Sequence, residues 1–182
     1  MLSCSAESTP GFYERLADSA LALTKENVVY DASYYRISYP LGDVPAGVGV
    51  CTDVVIRAYR MLGIDLQAEV HEDMRAHFKI YPKNWGREKP DTNIDHRRVP
   101  NLMTFFSRHG EVKKISPAAA DYAPGDIVCW NLYGGVLHIG IVARKKSMFT
   151  ERPLIVHNIG RGQVLEDMLF DYKIIGHYRY RK

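Results

Sequence analysis

Residues 47–62 read GVGVCTDVVIRAYRML, a segment that places a cysteine where a glycine-rich turn becomes a helix. Apolar residues recur at helical spacing after the cysteine and predict one buried stripe: Val54, Val55, Ala58, Met61 and Leu62. Cys51 would then lie in the first turn, where unpaired N–H groups and the helix dipole lower a thiol's pKa. A small buried residue starting a core helix fits the same position. The segment alone therefore leaves Cys51 open between a nucleophile and a core residue.

The composition indicates one globular domain. The chain has 182 residues, of which 46% are hydrophobic and 11% aromatic, enough for a sizeable core. With 24 basic and 21 acidic residues the formal charge is only +3, so we expect no nucleic-acid partner. No window reaches the roughly 20 apolar residues of a membrane span. We expect a monomer with a flexible N-terminus over residues 1–10 and a single catalytic domain over residues 11–182.

Three cysteines, at positions 4, 51 and 129, are too few for a disulfide framework in a chain of this size. Cys129 lies inside the apolar run DIVCWNL, which predicts an inert buried thiol. The first residues, MLSCSAESTP, resemble the end of a lipoprotein signal whose apolar segment has been removed. This suggests a lipid anchor and a location in the bacterial cell envelope or periplasm, with an ordinary flexible terminus as the alternative.

Helical patterns come first along the chain, and strand patterns follow. Apolar spacing predicts helices over residues 11–23, 51–62 and 66–78 and another that opens at Pro100. Turn residues separate the later apolar runs GDIVCWNL, GGVLHIGIVAR, RPLIVHNIG, QVLEDMLF and IIGHYRY. The order predicts an α+β fold in which N-terminal helices pack on a C-terminal antiparallel sheet. His71 and His77 are six residues apart, unlike the i, i+4 pair of a helical zinc site, and we expect no metal and no cofactor.

Polar loops supply the candidate substrate contacts. The insertion YPKNWGREKPDTNIDHRRVP contains the cluster Asp95, His96, Arg97 and Arg98. Its two guanidinium groups suit a substrate carboxylate, and Asp95 could orient one of them, although a solvated charged loop is the alternative. Arg161, between two glycines, could also bind a carboxylate or could simply belong to a turn.

Two histidines interrupt apolar strands. His138 lies within VLHIGIV and His157 within LIVHN, where an unpartnered imidazole would be costly to bury. Alternation puts His138 on the same strand face as Gly140, which leaves space beside the ring. Together with a cysteine at a helix start, the pair favours a nucleophile, a base and an orienting residue. Asn158 is the alternative orienting residue, since neighbouring strand residues face opposite ways and only one of His157 and Asn158 can point at His138. Asn158 is also a candidate substrate contact.

The ordered motifs resemble the NlpC-type papain-like cysteine peptidases, which cleave bacterial cell-wall peptides. The resemblance covers about residues 39–160 and rests on four segments: GVCTDVVIRAYRMLG, GDIVCW, LHIGIV and LIVHN. CTDVVIRAYR and NIDHRRVPNL look more specifically like a bacterial branch of this fold known only as a domain of unknown function. The resemblance implies a papain-like fold and a peptide or muropeptide substrate. It implies that Cys51 attacks an amide carbonyl, His138 transfers the proton and His157 orients the imidazole.

The nucleophile motif departs from the family pattern. Where the family usually has Asp-Cys-Ser-Gly, this chain has Val-Cys-Thr-Asp, so Asp53 appears after the cysteine as a further candidate substrate contact. The resemblance matches Tyr39, in YPLG, to the family's substrate-binding tyrosine, with extra residues between it and the cysteine. Two alternatives stay open: an acyltransferase that uses the same triad, and a papain-like domain that binds peptide without catalysis.

Overall fold

The computed structural model describes residues 9–182. Four α-helices form the helical part: α1 (Phe12–Leu23), α2 (Cys51–Arg60), α3 (Leu66–His77) and α4 (Val99–His109). Most of the predicted flexible N-terminus, including Cys4, lies outside the described residues. The prediction of a lipid anchor falls on that same segment. No helix within the described part is long and apolar enough to cross a membrane.

The strands form a small sheet and a large one. In the small sheet, β1 (Val29–Tyr30) pairs parallel with β2 (Val48–Gly49). The large sheet contains β3 (Glu111–Val112), β4 (Ile127–Asn131), β5 (Leu137–Lys146), β6 (Pro153–His157), β7 (Val164–Glu166) and β8 (Lys173–Arg179). Its order is β3-β8-β4-β5-β6-β7, and every neighbouring pair is antiparallel. The last strand of the chain thus lies inside the sheet, beside β4.

The helices cover one face of the large sheet. In β4, Ile127 and Cys129 belong to the main core that the four helices complete, whereas Val128 and Trp130 belong to a smaller cluster with Leu169. This division follows from the strand repeat, which points successive side chains to opposite faces. Because side chains pack against both faces of β4, its first four residues are all buried. The predicted α+β fold, with helices packed on an antiparallel sheet, is confirmed.

Two connections fix the start of α2 relative to the sheet. The strand pair β1–β2 delivers the chain to Val50, the extended residue immediately before the helix. Asn158, directly after β6, donates from Nδ2 to the Gly49 carbonyl at 3.2 Å. The cysteine at the first position of α2 is therefore held from both sides, by the small sheet and by the end of a large-sheet strand.

Candidate active site

Cys51 lies at the first position of α2 and opens onto a cleft of about 400 Å³. Only 6% of the residue is exposed. The cleft is lined by residues from the start of α2, the 81–100 insertion and the approach to β5, including Tyr30, Val50, Trp85, Arg98, Gly135 and Leu137. The cysteine is thus a buried residue with one side open to a ligand-sized space.

The thiol of Cys51 is neutral in the free protein. Burial raises its pKa to about 12, while the backbone N–H groups of Ile139, Thr52 and Cys51 itself act in the opposite direction. The N–H groups at the helix start do lower this pKa, but the expected net lowering is wrong, because the loss of hydration outweighs them. Ile139, whose N–H opposes the effect of burial, is the residue that follows His138 in β5.

His138 and His157 meet across strands β5 and β6. Nε2 of His138 lies 3.0 Å from Nδ1 of His157, and the two rings are nearly perpendicular, with centroids 5.1 Å apart. Both residues are buried, at 3% and 0% exposed. Among the described residues 9–182, the His138 side chain forms this one hydrogen bond, through Nε2. Its other ring nitrogen, Nδ1, is therefore available to accept a proton.

A glycine lets the two rings approach. The register that pairs Ile141 with Val156 puts His157 opposite Gly140, two residues from His138 on the same strand face. A Cβ at Gly140 would lie 2.7 Å from Cγ2 of Ile155 and 3.1 Å from Cβ of His157. The absence of that Cβ therefore allows β5 and β6 to pack as they do.

Glu166, a carboxylate that was not predicted from the sequence, extends the pair His138–His157 into a row of hydrogen-bonded polar groups. Nε2 of His157 lies 3.1 Å from Oε2 of Glu166 in β7, and Oε1 of Glu166 accepts from Arg161 at 2.7 Å. Glu166 is paired with Ile155 in the strand register, so it shares a sheet face with His157. The alternation of VLE next to a buried strand was the available signal, but strand order was needed to recognise it. Arg161, expected to bind substrate, instead contacts Glu166.

Burial also keeps the paired imidazoles neutral. It lowers the pKa of His138 to about 3, and the neighbouring His157 acts in the same direction. Burial likewise lowers the pKa of His157, although the Glu166 carboxylate opposes that shift. The resting centre consequently contains a thiol and two neutral rings rather than a preformed thiolate–imidazolium pair.

Asn158 faces away from the two histidines. Its side chain donates to the Gly49 carbonyl, and its Oδ1 accepts from the backbone N–H of Gly160 at 3.1 Å. Between the two candidates for orienting His138, the geometry thus favours His157. Asn158 is fully buried and supports the turn before Cys51, which leaves it no surface for the substrate contact that the sequence suggested.

Asp53 and Arg97 bind each other instead of facing the solvent. The Asp53 carboxylate accepts from Nε and Nη2 of Arg97 at 2.9 and 3.0 Å and from the Val50 N–H at 2.7 Å. Asp53 is 2% exposed. The interpretation of Asp53 as a substrate contact is wrong, since both of its oxygens are already bonded. Arg97 touches the cleft, but its guanidinium is committed to Asp53 and to the carbonyl of Ser33.

Of the remaining loop candidates, only Arg98 presents its charge to the cleft. Its guanidinium lies 3.9 Å from the centre of the Trp85 ring and donates to Asp95 at 3.3 Å. Asp95 is buried at 3% and also accepts from the Asp91 N–H, while His96 is 2% exposed and away from the cleft lining. Their predicted direct contact with substrate is contradicted by this burial.

Tyr39 lies away from the cleft that contains Cys51. Its ring packs edge-on against His71 of α3, with centroids 5.1 Å apart. The correspondence with the family's substrate-binding tyrosine is therefore not reproduced, and Tyr30 is the tyrosine that lines the cleft. Within the described ranges, no group of three or more His, Cys, Asp or Glu side chains is arranged to hold a metal ion.

Comparison with solved structures defines the class of fold. An N-acetylmuramoyl-L-alanine amidase from Bacteroides uniformis ATCC 8492 superposes with a TM-score of 0.53 over 93% of this chain and 99% of its own, at 14% identity. NlpC1 from Trichomonas vaginalis superposes with a TM-score of 0.51 over 95% of this chain, which spans 46% of that protein, at 16% identity. The fold is that of the papain-like NlpC and amidase proteins.

The chain belongs to the family described as Domain of unknown function (DUF1287), whose model matches residues 17–180. An uncharacterized protein of Escherichia coli (strain K12), YijF, is 49% identical over 165 residues, which cover 91% of this chain and 80% of the relative. The expected membership of a domain-of-unknown-function branch is confirmed. The likeness to NlpC proteins is one of fold.

Proposed function

We propose that this protein is a cysteine hydrolase that cleaves a peptide or amide bond in bacterial cell-wall peptide. The observation that carries the proposal is the hydrogen bond between His138 and His157, in a protein whose Cys51 starts a helix and opens onto a cleft. A nucleophile, a base and a residue that orients the base are the parts that thiol-dependent acyl transfer requires. The folds of the amidase and NlpC1 support the same class of chemistry.

Because the resting thiol and imidazole are neutral, proton transfer accompanies attack. The Cys51 sulfur bonds to the amide carbon while its proton passes to Nδ1 of His138. The Cys51 backbone N–H, at the start of α2, stabilises the oxyanion. His138 then protonates the leaving amine as the carbon–nitrogen bond breaks. A water, deprotonated by the same nitrogen, attacks the thioester and releases the acid and the thiol.

Arg98 gives the cleft a preference for an anionic substrate. Its single bond to Asp95 leaves further N–H donors, and the Trp85 ring holds its plane at the cleft surface. Guanidinium groups bind carboxylates through two parallel hydrogen bonds. We assign this position to a free carboxylate of the substrate, as cell-wall stem peptides carry. A substrate of this kind would place the protein in the cell envelope or periplasm.

The products of one reaction separate this proposal from its two alternatives. Purified protein is incubated with a muropeptide mixture, with and without glycinamide, and the products are identified by mass spectrometry. A hydrolase gives fragments that have gained water in both reactions. An acyltransferase gives the glycinamide adduct in preference to the acid, and a peptide-binding domain gives binding by calorimetry but no product. Either of the latter results would overturn the hydrolase assignment.

A further inference from the structure

The row of polar groups continues past the two histidines to Glu166 and Arg161, and nothing in a Cys-His-His mechanism requires it to do so. We infer that Glu166 is a positioning residue that fixes which nitrogen of both imidazoles carries hydrogen, a role that rests on the proposed function for its catalytic consequence. The contacts that carry the inference are the 3.1 Å approach of His157 Nε2 to Glu166 and the 2.7 Å bond from Arg161 to the same carboxylate.

An ionised carboxylate can only accept hydrogen bonds. The hydrogen between Glu166 and His157 must therefore belong to Nε2 of His157. A neutral imidazole carries one hydrogen, so Nδ1 of His157 then presents a lone pair. That lone pair can only be satisfied by a hydrogen on Nε2 of His138, 3.0 Å away.

The same reasoning applies to the second ring. With its hydrogen on Nε2, neutral His138 has a lone pair on Nδ1, and this is the nitrogen that must take the proton of Cys51. The opposite arrangement would put hydrogen on Nδ1 of His138 and leave no acceptor for the thiol proton. Glu166 thus acts on His138 through His157, and it selects the productive one of the two possible hydrogen arrangements.

Arg161 makes the choice sensitive to a single substitution. Its guanidinium has donors but no acceptor, so it needs an oxygen on residue 166. In Glu166→Gln the amide oxygen would turn towards Arg161, and the amide NH2 would then face His157. Because that NH2 group is a donor, it requires a lone pair on Nε2 of His157, which reverses both rings.

Protein labelled with 15N in histidine tests this without any substrate. Two-bond proton–nitrogen correlation spectra report which nitrogen of each ring is protonated. Wild-type protein should show hydrogen on Nε2 of both His138 and His157, and Glu166→Gln should show it on Nδ1 of both. Identical ring states in the two proteins, or Nδ1–H on His157 in wild type, would overturn the inference.

Kinetics supply the second readout and a matched rescue. Glu166→Gln should lower kcat by about 100-fold with little change in KM. Adding Arg161→Ala frees the amide to rotate. The kcat of the double variant should therefore be at least about tenfold higher than that of Glu166→Gln. Glu72→Gln, an exposed substitution on α3, should keep wild-type kcat. If the double variant is no better than Glu166→Gln while both are folded, the reversal mechanism is wrong.

The two readouts keep the inference separate from the proposed function. If wild-type protein hydrolyses nothing but its rings show the Nε2–H pattern and reverse in Glu166→Gln, the hydrolase assignment fails and the role of Glu166 in fixing the rings stands. If hydrolysis depends on Cys51 but Glu166→Gln changes neither ring state nor kcat, the hydrolase stands and the inference fails.

Discussion

Arg97 donates two hydrogen bonds to the Asp53 carboxylate, which lies 44 positions earlier in the chain. The pair joins the first turn of α2 to the 81–100 insertion, and both side chains are almost completely buried. Since Asp53 also accepts from the N–H before Cys51, the insertion helps to hold the helix start in place. The aspartate two positions after the cysteine, where the family usually has glycine, therefore has a local structural explanation.

Arg97→Met should destabilise the protein by about 3–5 kcal/mol, because it leaves the Asp53 charge buried without its partner. Urea unfolding at pH 7 measures the loss. The double variant Asp53→Asn/Arg97→Met removes both charges and should recover most of the stability. A loss below about 1 kcal/mol in the single variant would show that the ion pair does not hold the helix start.

Arg98→Met should act on binding rather than on folding. Loss of its guanidinium removes the proposed carboxylate contact, so KM for a carboxylate-bearing peptide should rise roughly tenfold or more. The same peptide with that carboxylate amidated is the control, and its KM should be nearly the same in wild type and variant. Equal KM changes for the two peptides would argue against a carboxylate at this position.

His96 should make stability depend on pH. Burial lowers its pKa to about 3 in the folded protein, with Arg97 and Arg60 acting in the same direction, against about 6.5 in the unfolded chain. Between these values the unfolded chain binds the extra proton, so stability is full above pH 6.5 and falls as the pH drops towards 3. His96→Gln should flatten this slope by about 1 kcal/mol per pH unit in urea unfolding. An unchanged slope would contradict a buried neutral His96.

Alkylation of Cys51 should be slow at neutral pH and should accelerate as the pH rises. With a pKa of about 12, the thiolate fraction grows about tenfold per pH unit over the range 7–9.5. Iodoacetamide labelling followed by peptide mapping gives the rates. Cys129, which is fully buried, should label far more slowly throughout. A rate for Cys51 that is already at its plateau below pH 8 would indicate a preformed thiolate.

Gly140→Ala should separate strands β5 and β6 where the histidines meet. The added Cβ would lie 2.9 Å from the Val156 carbonyl and against the Ile155 side chain, and such overpacking costs about 1–3 kcal/mol. The rate of hydrolysis should fall strongly even where the variant remains folded, because the two imidazole rings lose their contact. Gly11→Ala has no comparably close neighbour and is the control. Full activity in Gly140→Ala would contradict the need for that contact.

The sequence predicted the elements and their layers because each leaves a local pattern. Helical spacing identified α1 to α4, and alternation identified the strands that carry His138 and His157. The position of β8 between β3 and β4 leaves no such trace, since it depends on which strand edges meet. Glu166 escaped for the same reason: only the pairing of β6 with β7 brings it to His157.

The loop residues were the hardest to interpret because charge alone does not distinguish a surface from a buried pair. Asp53 and Arg97 are far apart in the sequence, and their contact required the insertion to fold back over α2. The predicted pKa of Cys51 was wrong because two effects oppose each other: a helix start favours the thiolate, and burial favours the neutral thiol. Sequence reveals the helix start, whereas the extent of burial comes from the packed structure.

The central claim, that Cys51 is the nucleophile of a cell-wall peptide hydrolase, is tested most directly by muropeptide digestion with two matched cysteine variants. Both cysteines are buried and alanine fits in either place, but only Cys51 opens onto the cleft. Cys129→Ala should release the same fragments as wild type, and Cys51→Ala should release none while still binding the muropeptides. Release of the same fragments at the same rate by folded Cys51→Ala would contradict the account.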